Sequence, residues 1–202
     1  MSIWSNKKSW TALALLLTSA GIAAGVRHGG LSVEYTDARD RAQLGVVFRA
    51  WDGAARDLRT IGLKVPAEVS IEAAGSAAGF AAQTGEPAGI AASTRGSTIY
   101  TQRLSALATR GLLPFTIRHE AFHTAQPARL TRWLAEGLAR TFSGEAVSDP
   151  PGPTGLESLP DAALNAQLLQ HSTPRLNAAY HEATRRAGLL VRQRGWRAVL
   201  GL

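Results

Sequence analysis

His119-Glu120-Ala121-Phe122-His123 sets two imidazoles four residues apart, with a carboxylate beside the first. On a helix, positions i and i+4 lie one turn apart on one face. A further carboxylate, Glu136, comes thirteen positions after His123, inside Trp133-Leu134-Ala135-Glu136-Gly137. These three side chains meet only if two helices lie side by side with the chain reversing between them. The stretch Thr124 to Thr131, which contains Pro127, supplies that reversal.

If His119, His123 and Glu136 converge, they form a His2Glu set for a zinc ion at about 2.0–2.1 Å, with a fourth position left open as a catalytic site requires. Glu120 is offset around the helix from the two histidines. It can take the proton of a water activated by the ion without binding the ion, and later pass it to a leaving amine. Gly137 allows close backbone approach between the two helices, and Trp133 and Leu134 pack beneath the site. His181-Glu182 begins the same pattern, but Arg185 stands where the second histidine belongs, so no metal role is assigned there.

The chain has 202 residues, enough for one domain with a core. With 45% apolar and 18% charged residues it is globular rather than disordered. The absence of cysteine excludes Cys-ligated zinc fingers, a disulfide framework and a thiol nucleophile. The formal charge is +7, mostly from arginines spread along the chain without an aromatic-interleaved basic run. This describes a solvated surface with a modest pull toward anionic membranes or cell-wall polymers. No nucleic-acid docking motif accompanies the charge, so nucleic acid is not an expected partner.

Lys7 and Lys8 precede an apolar run from Trp10 to Val26 that ends in small residues, among them Ala20, Gly21, Ala23, Ala24 and Gly25. A charged start, an apolar middle and small residues at the end describe an export signal. Residues 1–26 are expected to be a signal peptide, with cleavage after Ala23 or Gly25, or an uncleaved anchor. The rest of the chain would then be secreted, periplasmic or held on the outer face of the cytoplasmic membrane.

Beyond this segment, Leu31 to Thr36 alternates as a short strand. Asp37 can cap the helical stretch after it. Leu44, Val47, Phe48, Trp51, Ala55 and Leu58 then recur at helical spacing, with Asp52 and Asp57 expected on the wet face. Ala67 to Glu72 reads as a second strand, and a short helix or loop is expected around Phe80. Ala88–Ser93 and Thr98–Gln102 read as two more strands joined at Arg95-Gly96-Ser97. Leu104 to Ala125 is expected to be helical with a break at Pro114, and Leu130 to Phe142 to be the next helix. Ser148 to Pro153 is a loop, and helical patterns resume at Ala162 and at Leu176. His28 and Arg118 read as surface contacts. The predicted class is α+β over residues 31–202: a small, mostly antiparallel sheet with helices packed on it, then a helical half carrying the metal site.

The stretch Arg118 to Ala139 resembles the gluzincin zinc metallopeptidases, and more closely the compact bacterial peptidase MA-like domains. The likeness rests on H-E-x-x-H and, after a short connection, Trp133-Leu134-Ala135-Glu136-Gly137-Leu138-Ala139. It covers about a tenth of the chain, with weaker likeness in the preceding strand–helix–strand order and around Tyr180 and Trp196. The resemblance implies a zincin-like fold, Zn2+ as cofactor and peptide or protein substrates. It assigns His119, His123 and Glu136 as ligands and Glu120 as acid/base. It also implies that substrate lies along the edge strand, with Gly89, Ile90 and Ala91 as the expected contacts. No counterpart of the aminopeptidases' amine-binding motif is present. An oxyanion donor from the C-terminal half is needed as well, and Tyr180, His171 and His181 are the candidates. Two alternatives stay open. One is a non-catalytic envelope protein that binds peptides or cell-wall components. The other is zinc-dependent hydrolysis of a non-peptide amide such as a peptidoglycan bond.

Overall fold

The computed structural model describes residues 24–170 and 174–202. Five strands form one sheet: β1 (Ala24–His28), β2 (Leu31–Tyr35), β3 (Val69–Ala73), β4 (Ala92–Arg95) and β5 (Thr98–Thr101). Seven helices accompany them: α1 (Leu44–Thr60), α2 (Ala77–Thr84), α3 (Leu104–Thr109), α4 (Leu113–Ala125), α5 (Arg132–Ser143), α6 (Asp161–Leu168) and α7 (Pro174–Leu200). The α+β class is therefore as expected. The sheet order is β1-β2-β3-β5-β4. Its two outer pairs are antiparallel, but β2–β3 and β3–β5 are parallel, so the sheet is mixed. The parallel pairs arise from the connections: α1 lies between β2 and β3, a crossover that returns the chain in the same direction.

One face of the sheet is apolar and carries the core. Leu31, Val33, Ile71 and Ile99 are fully buried there against Val47, Ala54 and Leu58 of α1 and Leu113, Ile117 and Ala121 of α4. Each Val, Leu or Ile side chain among these contributes roughly 1.5–3 kcal/mol by leaving water. Register partners share a face, and one row runs Val26, Val33, Ile71, Ile99, Thr94 across all five strands. The row ends on the edge strand β4 in a threonine rather than an aliphatic, and this exception borders the candidate site.

Several local expectations shift. Of the expected export segment, residues 1–23 lie outside the described residues, and its last three positions, 24–26, belong to β1. Among the described residues no helix is long and apolar enough to cross a membrane. Residues 88–91 do not join β4. The buried Gln102 takes their carbonyls instead, its Nε2 donating to Ala88 O at 2.6 Å and Ile90 O at 2.7 Å, while Gln102 N donates to Ala91 O at 2.9 Å. The helix expected over Leu104 to Ala125 breaks at Gly111, whose φ of 70° is left-handed, and not at Pro114. Pro114 sits in the first turn of α4, where a missing N–H costs nothing. The buried carboxylate of Asp40 accepts from Leu104 N at 3.2 Å and Ser105 N at 2.8 Å, capping α3 from a distant part of the chain.

Asp57 and Arg118 are also more than surface residues. Arg118 donates to Asp57 at 2.8 Å and to Phe142 O at 3.2 Å, and lies over the Phe142 ring, tying α1, α4 and α5 together. His28 is bonded to Asp52 at 2.9 Å and stacked on Phe48. Gly137 does serve a close approach, but to α7 rather than α4. A Cβ there would stand 2.2 Å from Ala183 O and 2.8 Å from Ala187 Cβ. Trp133 packs with Leu164, Leu168, Ala179 and Ala183 in a second, smaller core formed by α5, α6 and α7.

His181-Glu182 has a structural role. Glu182 is fully buried and accepts from Thr154 (2.9 Å), Arg185 (2.7 and 2.8 Å) and Arg186 (2.7 Å). Arg186 in turn holds the carbonyls of Leu156, Glu157 and Leu159 and the Asp161 carboxylate, so Glu182 fixes the segment before α6 onto α7. Burial alone would raise the Glu182 pKa, but the bonds from Arg185, Arg186 and Thr154 pull it down from 4.5 to about 2. A depressed carboxylate pKa stabilises the fold fully above the unfolded value and loses that contribution as pH falls through the folded one. The thermal midpoint should therefore drop as pH falls from 4.5 toward 2. Glu182→Gln should flatten this part of the profile and cost about 2–4 kcal/mol at neutral pH. Calorimetry of both proteins across that range tests it, and an unchanged acid limb in the variant would rule the account out.

Candidate metal centre

α4 carries three stripes with different tasks. Leu113, Ile117 and Ala121 face the core, Thr116 and Glu120 border it, and His119 and His123 face a cleft. Gln126 ends the helix, and a turn closed by Leu130 N donating to Pro127 O at 3.2 Å leads into α5. Asn165 Oδ1 accepts from Trp133 N at 2.8 Å and caps the new helix. The two helices run antiparallel: Arg118 early in α4 reaches Phe142 late in α5, while the histidines meet Glu136 nearer the turn. On α5, Arg132, Glu136 and Arg140 fall one turn apart on the face toward the cleft.

The three expected ligands converge. His119 Nε2 and His123 Nε2 are 3.0 Å apart, and Glu136 Oε2 lies 3.4 Å from the first and 3.6 Å from the second. A circle through these atoms has a radius of about 1.9 Å, close to the ~2.0–2.2 Å bonds of a divalent transition ion to imidazole and carboxylate. Only 12%, 13% and 13% of the three side chains are exposed. Among the described residues this is the one group of three such donors able to hold a metal ion.

The orientation of the imidazoles is fixed from behind. His119 Nδ1 donates to Glu145 Oε2 at 3.2 Å, and His123 Nδ1 donates to Gln126 Oε1 at 3.1 Å. With both Nδ1 atoms engaged, the two Nε2 atoms are the ones turned to the same point, the arrangement metal-binding histidines use once their Nε2 protons are lost. Arg140 NH1 supports Glu145 at 3.3 Å, and the same guanidinium also reaches Asp149 at 2.5 Å and Thr184 at 2.9 Å.

The charge balance points the same way. Burial disfavours charge on His119, yet Glu145, Glu136 and Glu120 outweigh it and hold the imidazolium well above its ordinary range. His123 is raised too, against burial and against His119, chiefly by Glu136. Glu136 is held well below the usual carboxylate range because the two histidines overcome its burial. Glu145 is lowered against burial by His119 and Arg140. The excess of carboxylate around the two imidazoles favours positive charge in this pocket, and a metal ion bound there would displace those protons.

The cleft around these residues has a volume of about 860 Å³. Most of the other expected site residues lie on its walls. Glu120 is 6% exposed and lines the cleft, where Thr94 Oγ1 of the edge strand donates to its Oε2 at 2.7 Å. Gly89, Ile90 and Ala91 line the cleft as the loop leading into β4. Tyr180 of α7 lines it as well, and burial together with the charge of Glu136 pushes its phenol up to about 12. His181 is not on the cleft wall, and His171 lies outside the described residues. Sequence reasoning missed Thr94, Gln126, Arg140 and Glu145. Gln126, three residues past His123 at the helix end, carried a usable signal; Thr94 and Glu145 did not, since only the fold brings them near.

Comparison of the chain with protein-family models, curated proteins and solved structures gave no match.

Removing the support behind His119 should loosen the site without emptying it. Glu145→Ala is expected to weaken divalent-metal affinity about 10–100-fold, and Glu145→Gln less, because the amide still accepts the Nδ1 proton. Competition with a chromophoric chelator measures this, and equal affinities in wild type and Glu145→Ala would remove Glu145 from the site.

Proposed function

We propose that the protein is a zinc metallopeptidase that hydrolyses peptide bonds. The observation that carries this reading is the convergence of His119 Nε2, His123 Nε2 and Glu136 Oε2 beside a buried Glu120. Two imidazoles and one carboxylate suit zinc, and three protein ligands leave room for substrate chemistry. When bound, the ion would supply Lewis acidity that makes a water acidic near neutral pH and polarises the scissile carbonyl.

The residues divide the remaining work. Glu120 accepts the proton of the attacking water and delivers it to the leaving amine, so that each turnover returns the carboxylate to its starting state. Thr94 donates to one oxygen of Glu120 and leaves the other free for the transfer. Tyr180, kept protonated by its raised pKa, is suited to donate to the developing oxyanion. β4 is an edge strand beside the cleft, so an extended peptide can lie along it past Gly89, Ile90 and Ala91. The likeness of Arg118–Ala139 to the gluzincin peptidases supports the same assignment.

Glu120→Gln should keep its zinc, near one ion per chain, and lose about 10²–10⁴-fold in peptide hydrolysis. Metal analysis and a peptidase assay on the same preparation check both halves. Activity that survives the substitution, or a protein that takes up no zinc, would sink the reading. Export is part of the proposal, resting on Lys7, Lys8 and the apolar run after them. Because Ala24 and Gly25 pair with Tyr35 and Glu34 in β1, a processed chain should begin at Ala24 rather than Val26. N-terminal sequencing of the exported protein distinguishes the two.

A further inference from the structure

The cleft contains two guanidinium groups in different states. Arg140, one turn beyond Glu136, is 18% exposed and committed to Glu145, Asp149 and Thr184. Arg132, one turn before Glu136, is 41% exposed. Its Nε donates to Leu168 O at 3.2 Å. Its NH2 stands 3.7 Å from Glu136 Oε1, too long for a hydrogen bond. That oxygen is the one not turned to the histidines, since both imidazoles face Oε2. Arg132 therefore borders the metal centre, bonded to Leu168 O and to the Tyr180 hydroxyl and only loosely paired with Glu136, with part of its donor fork left over on the cleft side.

Its surroundings suit an anion. Arg132 is the first residue of α5, whose N-terminal end carries the positive pole of the helix dipole, and the cap there comes from the neutral amide of Asn165 rather than from an acidic side chain. Leu168 and Leu176 give the wall apolar area, and Asn177 adds an amide. A role limited to holding Glu136 would be served by a close bidentate pair, which the 3.7 Å separation does not provide. A planar fork that is 41% exposed at a partly dry wall, and only loosely paired with Glu136, matches a carboxylate better than any neutral group.

We infer that Arg132 binds a substrate carboxylate close to the scissile bond, so that the site selects acidic peptides. This rests on the peptidase reading. The carboxylate can come from an aspartate or glutamate side chain or from a free C-terminus, and the chemistry at Arg132 is the same. No covalent step is involved: Arg132 sets specificity and stays clear of the proton transfers assigned to Glu120.

The test uses equilibrium binding, so it needs no turnover. Zinc-loaded Glu120→Gln protein is titrated calorimetrically with two pairs of blocked pentapeptides. Ac-Ala-Ala-Glu-Ala-Ala-amide is set against its Gln counterpart, and Ac-pentaalanine with a free C-terminus against its amide. In at least one pair the carboxylate form should bind about tenfold tighter or more, and which pair responds identifies the source. Adding Arg132→Met should bring that ratio close to one, and Arg132→Lys should leave it intermediate. Equal binding within both pairs overturns the inference, as does a preference that survives Arg132→Met, which would assign the carboxylate to the metal instead. If none of the four peptides binds at millimolar concentration, it is the peptidase reading that fails, and this inference with it.

Discussion

Three carboxylates, Glu120, Glu136 and Glu145, crowd two imidazoles in a cleft that shields them from most water. Charge in such a place is costly unless it is matched nearby. The surrounding architecture can be read as the means of matching it. The histidines are raised to carry protons, the half-buried Arg140 pairs with Glu145, and Thr94 donates to Glu120. A divalent cation would answer the same excess with one ion.

The scaffold brings the parts of this balance from distant positions. The sheet delivers Thr94 through the row Val26, Val33, Ile71, Ile99, and the aliphatic members of that row anchor it under α1 and α4. α4 and α5 supply the histidines and Glu136, and their antiparallel pairing is fixed at the far end by Arg118 on Phe142. α7 supplies Tyr180 and Thr184, and the Glu182 cluster holds it to the segment before α6. Four parts of the fold thus meet at one small volume.

The elements with strong periodicity were readable in the sequence: the alternating strand Leu31–Tyr35, the amphipathic α1 and the α4–α5 pair with its three converging side chains. The motif residues were legible because their chemistry demands a fixed spacing. Boundaries governed by distant side chains were not. Residues 88–91 look like a strand until Gln102 takes their carbonyls. Pro114 draws attention as a helix breaker, although the first turn tolerates it and Gly111 makes the break. Gly137 signals close packing but does not say against what. Glu145 and Thr94 belong to no motif, because a hydrogen bond to His119 or to Glu120 can come from any part of the chain.

The contact of Gly137 with the backbone of Ala183 has a mechanical meaning for the cleft. Where two helices touch main chain to main chain, no side chain intervenes to act as a cushion. The spacing between Glu136 and Tyr180, each close to that contact along its own helix, is then set by covalent dimensions and van der Waals radii alone. That wall behaves as a gauge block. The facing wall, residues 88–91, is tied mainly through the side chain and amide of Gln102, so the two sides of the cleft differ in stiffness by construction.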